Sequence, residues 1–488
     1  MPKPTNVLLI TTDQMRRDHM GCGGNPVIRT PNLDRLAAGG VVFDRAYVNN
    51  PVCMPNRCTI ATGRVPANHR CWANGIDLPE EERTVADELN DAGYHTALLG
   101  KAHFQGHASQ HVGEPHGLER GQAWERGLND YNWTGPFYGF QYVQLSIGHG
   151  YANLSRAHQY LWTLEHYPEA LDRQFDWDPS PTGCFEAMTP RYDHRAHSSN
   201  FLGHVGSDYL RARATDGQPF MAWVSFPDPH HPFSPPRPYD TMYDPADVVM
   251  PRLGPEALAD KPPHFLARQQ LHRDMTEAQV REMIARTYGM ISLVDENIGK
   301  LLDVLDATGL ADNTVVIFTA DHGDLMADAG LLLKGPWLLE GLINVPMIWR
   351  VPGGSAQARS AALMNSADIT PTILQLLGLP VPRAMDGLAM PNVAATGAGT
   401  GRDAAFVEYK APEHGTMNLR TVITADRKLT CYQGESFGEL YDMTAPAPEA
   451  VNHWSDPAWT DQRRALLRRL LDEAVETHDE RLWPTCHA

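Results

Sequence analysis

The sequence predicts an α/β fold: a large, mostly parallel central sheet flanked by helices, with a smaller C-terminal α+β unit. Short, continuous apolar runs at Val7–Ile10, Phe220–Phe226 and Thr314–Thr319 have the pattern of strands buried on both faces. Capped helical stretches separate them. A Gly/Ala/Thr-rich stretch at 386–403 divides a catalytic-sized unit, 1–385, from a smaller one, 386–488. A chain of 488 residues can form one large α/β unit with such an appendage.

In order along the chain, Val7–Ile10 delivers Asp13 and Gln14 at a strand's carboxyl end, where open α/β sheets bind ligands. Thr30 to Gly40 has the ends of a helix: Thr to cap, Pro31 in the first turn, Gly to stop. Val41–Phe43 leads into the loop Asn49 to Cys53, and residues 57–64 are expected to open a helix whose amino end favours an anion. Thr84–Gly93 is a further capped helix, followed by the strand Thr96–Gly100 and then Lys101-Ala102-His103. Residues 104–205 are rich in Gly, His and aromatics without a clean period, and are expected to form an irregular insertion over a pocket.

Phe220–Phe226 empties into Pro227 to Phe233, a stiff Pro-rich loop carrying His230. The apolar stripe Ile291, Val294, Ile298, Leu301, Leu302, Leu305 predicts a core-facing helix over 276–308. Thr314–Thr319 ends in Asp321 and His322, with Lys334 just beyond. After the boundary come strands near Arg420–Ile423 and Lys428–Thr430, an amphipathic helix over 460–477, and an apolar tail at Leu482, Trp483 and Pro484.

The net charge of −18 argues against a polyanion such as nucleic acid as partner, while a few local Lys, Arg and metal charges can still serve a small anionic substrate. Seven cysteines without paired spacing, no signal-peptide pattern and no apolar run of spanning length point to a cytoplasmic protein with no membrane partner.

Four strand ends thus offer Asp13/Gln14, Lys101/His103, His230 and Asp321/His322. Asp13, Asp321 and the Gln14 amide are hard oxygen donors suited to Ca²⁺, Mg²⁺ or Mn²⁺. With Arg57, Lys101 and Lys334 they make a site suited to a tetrahedral oxyanion and to charge developing on its transfer.

The motifs Asn6–Gln14, Thr30–Leu36, Cys53-Met54-Pro55-Asn56-Arg57 with Thr62-Gly63-Arg64, Gly100–His103, Pro229–Pro232, Thr319–Gly323 and Leu440–Met443 occur in one order along the chain. In that order they resemble a type I, formylglycine-dependent sulfatase of the alkaline phosphatase superfamily, close to the arylsulfatase and phosphonate monoester hydrolase branch. The resemblance implies an alkaline-phosphatase-like sandwich. It implies that a separate maturation enzyme oxidises Cys53 to formylglycine, whose hydrate attacks the sulfur of a small sulfate ester, the covalent intermediate then collapsing to release sulfate. Asp13, Gln14, Cys53, Asp321 and His322 would hold one divalent ion, Ca²⁺ first, with Mn²⁺ or Mg²⁺ as alternatives. Arg57 would hold the metal-side charge, Lys101 and Lys334 the sulfate oxygens. His103 would take the second hydroxyl's proton, and His230 or Lys334 would protonate the leaving oxygen. A homo-oligomer, dimer or tetramer, is expected.

Gln14 replaces a common second Asp, and His322 stands where other members carry Asn, which leaves the metal open. Gly63–Arg70 followed by Asn74 resembles the phosphonate monoester hydrolases, making Asn74 a candidate substrate contact. That branch tends to carry Tyr and Thr where Lys101 and His103 stand, so aryl sulfates are the expected substrates and phosphonate monoesters or phosphodiesters the alternative. A non-catalytic metal-binding protein on the same fold would have lost Cys53, Arg57 or a histidine, and none is lost.

Overall fold

The computed structural model describes residues 6–106, 117–149, 154–184, 186–272, 274–411 and 417–477. The central sheet has eight strands: β1 (Asn6–Thr12), β2 (Val41–Phe43), β3 (His95–Gly100), β4 (Tyr142–Leu145), β5 (Phe220–Ser225), β6 (Thr314–Ala320), β7 (Met347–Arg350) and β8 (Ala358–Ser360). Their order across the sheet is β8-β2-β7-β6-β1-β5-β3-β4. Only β7 runs antiparallel to its neighbours; the other pairs are parallel. Every residue of β1, β5 and β6 is buried, so helices and loops cover both faces, which is why these strands read as unbroken apolar runs.

Eight helices frame the argument: α1 (Pro31–Ala38), α2 (Cys53–Thr62), α3 (Val85–Asp91), α4 (Ala157–His166), α5 (Ser198–Asp216), α6 (Glu277–Thr308), α7 (Ile369–Leu376) and α8 (Thr460–Glu476). Thr84 caps α3 and Thr276 caps α6, each closing a reciprocal capping box. The expected Thr30 cap is absent. Thr30 instead accepts from Gly21 N, and the first turn of α1 is capped by the Asp295 carboxylate of α6, which takes Asn32 N and Leu33 N at 3.1 and 2.8 Å.

The second unit is a four-stranded antiparallel sheet, β9 (Ala405–Ala411), β10 (Met417–Ile423), β11 (Arg427–Tyr432) and β12 (Gly438–Asp442). The α8 face carrying Leu466 and Leu470 packs on Val422, Leu429 and Leu440. The tail with Leu482, Trp483 and Pro484 lies outside the described residues.

The expectation of an irregular insertion over 104–205 needs correction. Its described residues include α4, the start of α5 and β4, which pairs in parallel with β3 and forms the edge of the central sheet. Tyr142-Val143-Gln144-Leu145 is half-buried in alternation, the pattern of an edge strand, and its four residues are too short to stand out among the surrounding aromatics. Among the described residues no helix is long and apolar enough to cross a membrane.

Candidate active site

The parallel strands β6, β1, β5 and β3 are adjacent, so their carboxyl ends open on one edge. Thr12 pairs with Ala320, which makes the next residues, Asp13 and Asp321, neighbours. Gly100 pairs with Ser225, bringing Lys101 beside the loop to His230. Gly100 has φ +111°, and a Cβ there would sit 2.0 Å from Ser225 O, so only glycine lets β3 turn Lys101 into the site.

Cys53 is the first residue of α2, four residues earlier than the helix start expected from the sequence. Pro55 does not obstruct it, because a first-turn residue has no intrahelical acceptor for its N–H and proline loses nothing there. Val52 offers no side-chain cap; Asn50 Oδ1 accepts from Val52 N at 3.0 Å, and Asn74 Oδ1 accepts from Met54 N at 3.2 Å. Asn74 therefore anchors the turn that bears Cys53 while remaining exposed beside it.

Arg57, one turn on and fully buried, ties the strand ends together. Nε donates to Asp321 Oδ2 at 2.7 Å, Nη1 to Lys101 O at 2.8 Å and Ser225 Oγ at 2.6 Å, and Nη2 faces Asp13 Oδ2 at 3.5 Å. Lys101 Nζ bonds the same Asp13 oxygen and reaches His149 Nε2 at 3.2 Å. Lys334 Nζ lies 3.0 Å from Cys53 Sγ, 3.1 Å from His230 Nε2, 3.0 Å from His322 Nε2 and 3.5 Å from Gln14 Oε1.

Asp13, Cys53, Asp321 and His322 present ligand atoms within 4.8 Å of one another. Asp13 Oδ1 is buried and accepts no hydrogen bond, an orphan of the kind a cation satisfies. His322 Nδ1 donates to Gly323 O at 2.8 Å, which leaves Nε2 as the lone pair facing the cluster, the usual preparation of a ligating imidazole. The donor set fits a divalent ion. The Gln14 amide sits at its margin: Nε2 donates to Asp324 Oδ2 at 2.5 Å, Gln14 N donates to Asp321 Oδ1 at 3.1 Å, and the amide touches His231 Nδ1.

Charge decides the protonation here. Burial pushes the Asp13 carboxyl up, but the charges of Lys101, Lys334 and Arg57 outweigh it and hold the group well below the usual range. Burial and Asp13 raise the Cys53 thiol, yet chiefly Lys334 and Lys101 bring it down to about 7. Burial, with His149 and Lys334, keeps His230 neutral. Its Nδ1 faces His231 O at 2.6 Å, and Nε2 therefore accepts from the Lys334 ammonium, which has only donors.

His103 is buried at the end of β3 with φ +59°; its backbone N–H and those of Phe104 and Gln105 converge on the Glu119 carboxylate. Of the residues read from the sequence, Asp13, Gln14, Cys53, Arg57, Lys101, His230, Asp321, His322 and Lys334 form one contact network. His149, His231, Asp324 and Ser225 join it without having been singled out, and Glu119 holds the backbone of His103, Phe104 and Gln105 beside it. His231 lay inside the Pro229–Pro232 motif. His149 follows β4, and the rule that strand carboxyl ends carry the chemistry would have found it once β4 was recognised.

The sulfatase family profile matches residues 5–379, and that of the N-sulphoglucosamine sulphohydrolase C-terminal region matches 332–476. An arylsulfatase from Clostridium perfringens is 27% identical over 97% of this chain and 95% of its own. The multifunctional alkaline phosphatase superfamily protein PehA from Trinickia caryophylli is 27% identical over 99% of this chain and 96% of its own. The solved structure of the phosphonate monoester hydrolase of Agrobacterium radiobacter is 28% identical, covers 98% of this chain and 97% of its own, and superposes with a TM-score of 0.80. With the family matched across the whole central sheet and the site assembled at its edge, the chain belongs to the sulfatase family of the alkaline phosphatase superfamily and is a sulfuric ester hydrolase.

Proposed function

We propose that the enzyme hydrolyses sulfate monoesters, aryl sulfates first, at a formylglycine that a maturation enzyme makes from Cys53. The observation that carries this reading is the placement of Cys53 at the first position of α2, with Lys334 Nζ 3.0 Å from Sγ and with Sγ among the Asp13, Asp321 and His322 donor atoms, all within 4.8 Å of one another. The Cys53 thiol stands in for the hydroxyls of the hydrated aldehyde, and a divalent ion, Ca²⁺ first, held by Asp13, Asp321, His322 and the Gln14 amide, would supply Lewis acidity there.

The chain's own groups do the rest. Arg57 fixes both aspartates through its fork. Lys101, fully buried, and Lys334, partly buried, present ammonium groups to the oxygens of the transferred group. Because His230 Nδ1–H is spent on a backbone carbonyl, the mobile proton of the Lys334–His230 pair lies on Lys334. Lys334 is thus the proton source for the leaving oxygen, with His230 as its orienting acceptor. His103, at the end of β3, serves as the base of the second step.

A second reading, phosphonate monoester or phosphodiester hydrolysis at the same site, is favoured by the likeness to phosphonate monoester hydrolase structures and by Gln14. The test is mass spectrometry of the Cys53 peptide together with rates on one aryl sulfate and one aryl phosphonate. The sulfatase reading expects aldehyde mass, a faster sulfate rate and no activity in Cys53→Ala. An intact thiol in fully active enzyme would sink it, and a phosphonate rate far above the sulfate rate would select the second reading.

A further inference from the structure

Three imidazoles stack in a column over the site. His149 lies on His230 with centroids 3.7 Å apart and planes 13° from parallel, and His230 lies on His231 at 4.1 Å and 25°. Each ring holds a different site residue: His149 Nε2 meets Lys101, His230 Nε2 meets Lys334, and His231 Nδ1 meets the Gln14 amide. We propose that His149 is a positioning residue for transfer of the oxyanion group, its Nε2 fixing the direction of the Lys101 ammonium and its ring face fixing His230. The proposal rests on the ester-hydrolase reading given above, and it adds a residue which neither the motifs nor the family match assigns.

A lysine ammonium carries three N–H groups and no acceptor. One of those on Lys101 is committed to Asp13 Oδ2 and one to His149 Nε2. The remaining N–H then has a single direction, and Lys101 is near enough to Cys53 to help lower its thiol. With Asp13 alone, the flexible four-carbon stem of Lys101 lets Nζ swing about Oδ2 and lose that aim. The acceptor at Nε2 places the ring proton on Nδ1, so His149 acts here as a neutral base towards Lys101 and a flat support for His230. Pro232 and Pro229 stiffen the loop on the far side of the column, so His149, on the loop after β4, is what closes the near side.

Two substitutions separate the ring from the acceptor. His149→Phe keeps a stacking face and removes the acceptor; His149→Gln supplies an amide oxygen in place of Nε2 and removes the ring. On the converted enzyme, His149→Phe is expected to lose about 10- to 100-fold in kcat/KM uniformly across a series of aryl sulfates, as expected for a lost hydrogen bond to a charged group. Inorganic sulfate, measured by calorimetry, should bind at least about tenfold more weakly to the same variant. His149→Gln should recover most of that sulfate affinity but lose more rate as the leaving phenol becomes less acidic, because His230 no longer holds Lys334 in place. Wild-type kcat/KM and sulfate affinity in both variants would overturn the proposal, as would equal losses in both accompanied by a common fall in Tm. The sulfate titration needs no turnover, so it judges His149 even if the aryl sulfate assay of the wild type were to fail, which would count against the substrate reading instead.

Discussion

At Cys53 burial and charge pull in opposite directions, and the Lys334 and Lys101 ammonium groups outweigh burial. The same balance explains why Arg57, rather than a lysine, occupies the position one turn along α2. Its planar fork reaches Asp321, Ser225, the Lys101 carbonyl and Asp13 at once, a geometry that one ammonium cannot reproduce. Arg57→Lys keeps the charge but loses the fork, and is therefore expected to lose at least about 100-fold in kcat and roughly 1–3 kcal/mol of stability, the usual cost of leaving a buried hydrogen-bond partner unsatisfied. Urea unfolding and initial rates on the same preparation check both numbers. A variant with wild-type stability would mean that Lys101 alone satisfies the two aspartates.

At the scale of the element, α2 is held at both ends and in the middle. Gly63 closes it in the left-handed region at φ +65°, Asn74 anchors its first turn, and His69 braces its centre. His69 Nδ1 accepts from Cys71 N at 3.2 Å, so Nε2 carries the proton facing Thr59 Oγ1 at 3.0 Å. Burial, helped by Arg64, pushes His69 down to about 3, and burial also brings His19 to about 3. Between pH 6.5 and 3 the unfolded chain binds protons that these folded imidazoles refuse. Their contribution is present above the unfolded value and is lost as pH falls, at up to about 1.4 kcal/mol per pH unit for each group. Unfolding midpoints at pH 7.5 and 5.5 should show this loss, and His69→Gln should reduce the slope by about one proton. An unchanged slope would mean that the imidazole is reached by water. The sequence shows α2 as a short helix after the cysteine, and the structure starts it at Cys53 itself. The caps that set it, Asn74 here and Asp295 for α1, come from other parts of the chain.

On the scale of the molecule, the C-terminal sheet braces the active site. Asn50 Nδ2 donates to Glu408 O at 2.9 Å, and Glu408 N donates to Asn49 O at 2.8 Å, so β9 lies along the loop that feeds Cys53. Lys428 of β11 donates to Leu338 O at 2.7 Å and pairs with buried Glu449, close to the segment bearing Lys334. Lys428→Met leaves that carboxylate without its cation, with Glu340 N as a remaining donor, and is expected to cost about 3 kcal/mol. It should also lower kcat several-fold while leaving the Cys53 conversion intact, which unfolding curves, rates and peptide mass would show. Loss of stability without loss of rate would separate the two units functionally.

The strands, the order of the chemical groups along the chain and their places at strand ends follow from local pattern: apolar runs of buried-strand length can be read without knowing their neighbours. Asp13, Lys101, His230 and Asp321 were legible for that reason. Tertiary structure alone decided that β6, β1, β5 and β3 lie side by side, that β4 extends their edge, and that His149 stacks on His230. Those contacts join residues far apart in sequence through strand order and ring orientation, and neither is encoded in the spacing of apolar residues along one segment.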